Sequence, residues 1–75
     1  MITEGDIKAE VVKLNESAEK YGRNYEYKKG EKGMWGLFDV HGDTYKPIYA
    51  ASTPAGFYAY VSLLKSLFQQ GKFEQ

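Results

Sequence analysis

The sequence predicts an α+β domain in the order helix, strand, strand, strand, helix, with a three-stranded antiparallel meander and both helices packed on one face. Three observations carry this. Near the N-terminus apolar residues recur at spacings of three and four, the middle third alternates in steps of two between short turns, and a proline-led apolar run of helical period closes the chain. Short connections between successive strands favour the meander, and two amphipathic helices fit on one side of it.

Each element has its own signals. In "TEGD", Thr3 is placed to cap a helix, with Glu4 and Asp6 in the first turn where the helix dipole favours negative charge. Ile7, Val11, Leu14, Ala18 and Tyr21 then form one narrow stripe, and Gly22 supplies a left-handed end. Val12 lies off the stripe. "RNYEYKK" alternates Tyr25 and Tyr27 with polar residues, as a strand does, and "GEKG" breaks it. "GMWGLFDV" is the second strand. "HGD" turns the chain into a third, "TYKPIYAA", where Pro47 lacks the N–H that a central position requires, so this strand belongs at an edge. "STPAG" opens the second helix with Thr53 as cap and Pro54 at the first helical position. That helix is expected to run to about Gln70. Phe57, Val61, Leu64 and Phe68 are the centre of its apolar face, Tyr60, Leu63 and Leu67 widen it, and Gly71 and Phe73 close its end.

A chain of 75 residues makes one small domain with a single core. It has no cysteine, so packing alone must hold it together, which fits a reducing compartment. The longest uncharged run, Pro47 to Leu64, contains proline, glycine, serine and threonine, and acids stand where a signal peptide would be basic. A soluble cytoplasmic protein with no membrane contact is expected. Ten basic and ten acidic residues cancel, which removes the field expected of a protein that binds phosphate backbones in bulk. Aromatic residues make up 16%, seven of them tyrosine, more than so small a core needs.

The second strand is apolar on both sides: Trp35 and Leu37 point one way, Met34, Phe38 and Val40 the other. Sending Phe38, Val40, Ile48 and Ala50 towards the helices leaves Tyr25, Tyr27, Trp35, Leu37, Tyr45 and Tyr49 lining an outer face. A patch of that size reads as an interaction surface. A slip of one residue inverts a whole strand, and Phe38 and Val40 would then be the uncovered set. Leu63, Leu67 and Val12 make a secondary contact site.

Other motifs have plainer readings. Asp39, His41 and Asp43 in "DVHGD" alternate in the manner of metal ligands or a base, yet a hairpin tip explains them. "KKGEKG" lacks the context of a phosphate loop and contains Glu31. No residue is assigned a catalytic, metal or cofactor role. The element order resembles that of double-stranded-RNA-binding domains. That family implies lysines at the start of the second helix, and "STPAGFYAY" has none. The last three strands and helix also resemble the small sheet domains of phage-type integrases, which imply arginine and lysine on a sheet that here offers tyrosine. Neither resemblance assigns a function.

The leading expectation is therefore a non-enzymatic interaction module that binds itself, as a homodimer, or another protein through an aromatic sheet face. Accessory proteins that modulate a larger machine, including those carried by mobile elements, are often of this kind. The alternative is nucleic-acid binding, single-stranded or double-stranded RNA, with bases stacked on tyrosines and Arg23, Lys28, Lys29, Lys32 and Lys46 on phosphates.

Overall fold

Helix α1 spans Glu4–Ala18 and strands β1, β2 and β3 span Tyr25–Lys29, Trp35–His41 and Thr44–Ala51; helix α2 spans Pro54–Gln69. This is a computed structural model, and it describes residues 1–71; the expected return of Phe73 onto the last turn lies outside them. The strands form an antiparallel meander in the order β1-β2-β3, so β3 is an edge as Pro47 requires. Both helices lie on one face, α1 against β1 and α2 against β2 and β3, and they pack on each other.

Local chemistry sets the ends. Thr3 Oγ1 accepts from the Asp6 N–H and Asp6 Oδ2 accepts from the Thr3 N–H, a reciprocal cap at the start of α1. A 3-10 turn over Glu19–Tyr21 ends on Gly22 at φ 72°, the left-handed geometry that a side chain disfavours. Thr53 Oγ1 accepts from the Gly56 N–H at 3.1 Å, with Pro54 at the first helical position of α2.

The core comprises the expected helix stripes, Ile7, Val11, Leu14 and Ala18 against Phe57, Val61, Leu64 and Phe68. Tyr25, Trp35 and Leu37 join them from the sheet, and this corrects the assignment of faces. Trp35 and Leu37 are 3% and 0% exposed, whereas Phe38 and Val40 look away from the helices. The helices stand off the sheet far enough to need large side chains beneath them: Trp35 lies against Phe57 with ring centres 6.0 Å apart, and Tyr25 against Phe68 at 6.1 Å. Gly36 and Val40, which the opposite parity of β2 would turn inward, would leave that space unfilled.

In β3 a bulge changes the alternation. Leu37 pairs with Tyr49 but Phe38 pairs with Pro47, so Ile48 is skipped in the ladder. Ile48 and Tyr49 both pack towards the core, and Tyr45 and Pro47 are carried to the outer side. Tyr45 and Tyr49, expected on one face, therefore occupy opposite faces.

Two polar arrangements hold α1 in place. Glu10, 3% exposed, accepts from Ser62 Oγ at 2.7 Å and pairs with Lys65 on α2. Burial pushes its carboxyl up, and the Lys65 and Ser62 hydrogen bonds together with the Lys65 and Lys13 charges more than reverse this, leaving the pKa below the ordinary value. The second arrangement involves Asn15. Asn24 accepts from the Val40 N–H, so the adjacent Tyr25 turns its own N–H and C=O away from β2. Asn15 meets both: Oδ1 accepts from the Tyr25 N–H at 2.8 Å, and Nδ2 donates to the Tyr25 carbonyl at 2.9 Å. Asn15→Leu should lower the melting temperature by about 10 °C, the cost of stranding two backbone groups in a domain this small. Thermal circular dichroism checks this, and a shift under about 3 °C would mean that water replaces the amide at no cost.

Candidate interaction face

The uncovered side of the sheet is built in rows that the strand register dictates. Lys28, Gly36 and Ala50 form one row and Glu26, Phe38 and Pro47 the next, and Val40 pairs with Tyr45 in a third. Asn24 reaches that third row through its bond to Val40, and beyond Gly36 a Gly30 N–H to Met34 carbonyl bond of 2.7 Å closes a fourth. The central and β3 columns are apolar and the β1 column is polar or charged. Tyr45 and Met34 are 43% and 42% exposed, and Phe38 and Val40 are half-buried. At 17 Å the molecule's shortest dimension accommodates two layers, a sheet and one helix layer.

Gly36 shapes this face. A side chain there would place its Cβ 3.1 Å from the Phe38 ring, so its absence lets the ring lean low across the sheet. Beside it lies an open, almost wholly apolar depression of about 280 Å³, bounded by Gly30, Met34, Gly36, Ala50 and the Lys28 stem. Lys28 spans the surface, its ammonium 5.5 Å from the centre of Phe38 and 5.0 Å from that of Tyr45. This cation covers part of both rings in the isolated chain.

Of the residues singled out in the sequence, Tyr45 alone of the six lies on this face. Tyr25, Trp35 and Leu37 are core, and Tyr27 and Tyr49 are partly buried against it. Tyr49 stacks on Tyr60 of α2 with centres 4.0 Å apart and planes nearly parallel. The Tyr25 hydroxyl is pushed up to about 12 by burial, with the nearby Asp39 carboxylate adding to the shift and Arg23 opposing it. Tyr27 donates its hydroxyl to Glu4 at 3.2 Å, and burial together with this carboxylate raises its pKa as well. The secondary contact residues do not form one surface. Val12, 51% exposed, lies on the α1 flank beside Asn15 and β1, whereas Leu63, 59% exposed, and half-buried Leu67 follow Tyr60 on the β3 flank of α2.

The "DVHGD" segment is a hairpin end, with Gly42 at φ 57°, and Asp39 is the exception within it. Asp39 is 6% exposed because it shares the inward parity of Trp35 and Leu37. Arg23 Nη1 pairs with its Oδ2 at 2.9 Å, and His41 Nε2 lies 3.5 Å from Oδ1. No cluster of three metal-ligating side chains occurs among the described residues. No helix among them is long and apolar enough to cross a membrane. Lys29 sits over Trp35 at 5.2 Å, and "KKGEKG" is the end of β1 followed by a short 3-10 turn over Glu31–Gly33, with Lys32 in the left-handed region at φ 62°.

Compared with models of protein families, with curated proteins and with solved structures, the chain finds no match.

Proposed function

We propose that this chain is a small non-enzymatic interaction domain, working in the cytoplasm, that binds a protein through the outer sheet face made by Phe38, Val40, Tyr45 and Pro47. The observation that carries this reading is the two-layer fold: its helices cover one side of the sheet and leave a continuous apolar stripe on the other. Rings and aliphatic side chains on a rigid sheet gain contact area with few rotors to freeze, which suits them to binding. The single histidine is exposed at a hairpin end and its neighbour Asp39 is committed to Arg23, which favours a binding role over catalysis.

Capture experiments with paired variants test this. Phe38→Asp with Tyr45→Ser should abolish retention of the partner while the circular dichroism spectrum stays that of the wild type, because both side chains lie outside the core. Val12→Ser with Leu63→Ser should retain it. The opposite pattern, loss only in the helix variant, would move the binding surface to the helix flanks and overturn the reading.

A further inference from the structure

We infer, resting on the outer face as the binding surface, that its partner is a second copy of this chain, docked face to face about a two-fold axis running across the strands. The charge pattern selects this arrangement. Glu26 and Lys28 are two residues apart on the outward side of β1, in the Phe38 and Gly36 rows respectively. Opposite charges therefore stand about 7 Å apart along one rim.

An axis across the strands, midway between those two rows, lays β1 of one copy over β1 of the other in reverse. Glu26 then faces the partner's Lys28, and Lys28 faces the partner's Glu26. An axis along the strands would instead lay the charged β1 column over Tyr45, Pro47 and Ala50, desolvating two charges per copy with no counter-charge. Shape favours the same choice. Phe38 leans towards Gly36, and so towards the axis, which brings the two rings together above the glycines. One row outward, Val40 of each copy comes over the Met34 and Gly30 depression of the other, a space large enough for it. With a formal net charge of zero, two copies do not repel at long range.

In the isolated chain Lys28 rests over its own Phe38 and Tyr45 rings. On docking, its flexible stem turns the ammonium to the partner's Glu26. The face measures only on the order of 300–400 Å² per copy from strand spacing and row number, below the standard interface of about 800 Å² a side, so the dimer is weak and reversible.

Sedimentation equilibrium on the full chain, from about 10 µM to about 1 mM, reads this range of affinity. The wild type should show a monomer–dimer equilibrium. Each single reversal, Glu26→Lys or Lys28→Glu, should weaken it about tenfold, since both symmetric contacts become like-charged. The double reversal should restore it, and so should an equimolar mixture of the two single variants, whose heterodimer again matches charges.

Tighter association of Lys28→Glu would show that Lys28 only covers the rings, and would overturn the pairing. A dimer lost in Phe38→Asp but indifferent to both reversals keeps the outer face and overturns this two-fold arrangement. A dimer indifferent to Phe38→Asp overturns both the arrangement and the face. A monomer at every concentration overturns the second copy as partner, while the face itself is judged by the capture experiment.

Discussion

Replacing Trp35 with alanine will remove a large share of the domain's stability. The indole is 3% exposed, lies against Phe57 and Tyr27 with ring centres 6.0 and 6.1 Å away, and carries Lys29 over its face. Truncating a buried aromatic of this size costs about 4 kcal/mol, the lost transfer energy together with the void left behind. A chain of 75 residues has roughly 4–11 kcal/mol in total. The melting temperature should fall by about 20 °C or more, and at the lower end of that stability range the variant is unfolded at room temperature. Chemical denaturation followed by tryptophan-independent far-ultraviolet dichroism measures the loss. A variant melting within about 5 °C of the wild type would mean that the indole is not the pillar between sheet and helices described above. A loss of binding in this variant would report unfolding and would say nothing of an interface.

Lys65→Met should cost about 3 kcal/mol at neutral pH, more than its lost contacts alone, because it strands the buried Glu10 carboxylate. The pH dependence identifies the cause. In the wild type the Glu10 pKa is lowered from 4.5, so the pair contributes stability above that value, and the contribution is lost as pH falls through the folded pKa. In the variant both Lys65 contributions are gone, burial is opposed by the Ser62 hydroxyl and the Lys13 charge alone, and the Glu10 pKa rises relative to the wild type. The variant therefore loses less stability than the wild type as pH falls, and the deficit should nearly close by about pH 3. Glu10→Met combined with Lys65→Met should recover stability to within about 1 kcal/mol, since no charge remains buried. A deficit constant from pH 3 to pH 7 would assign the cost to lost packing of the lysine stem.

Helix periodicity was legible almost to the residue. The stripes from Ile7 to Ala18 and from Phe57 to Phe68 are the buried ones, and the threonine caps and Gly22 occupy the positions their chemistry predicts. Glu10 was missed although it falls on the stripe, three after Ile7 and four before Leu14; a carboxylate there implied a cation across the interface, and Lys65 within an apolar helix was the signal. Strand faces were less legible for a physical reason. Both parities of β2 are apolar, so hydrophobicity does not choose between them, and the acid on the inward parity, Asp39, is paired by Arg23 from outside the strand. What decides is the volume between helices and sheet, a tertiary quantity that Trp35 and Leu37 fill and Gly36 and Val40 would not. In β3 the bulge at Ile48 breaks the period of two on which any assignment of faces depends, which separates Tyr45 from Tyr49. The conclusion that one apolar side stays uncovered survives the inversion, with Phe38 and Val40 as its residues.

The amide of Asn15 has a consequence for how this sheet can grow. By donating to and accepting from Tyr25 it occupies the place that one residue of a fourth strand would take. On the far side Pro47 withholds an N–H from any strand arriving there. Lateral addition is therefore obstructed at both margins, and lateral addition is the route by which sheets recruit copy after copy into fibres. Broadside contact has no such sequel: once two faces have met about a two-fold axis, neither is left to offer a third molecule, so assembly is finite by construction.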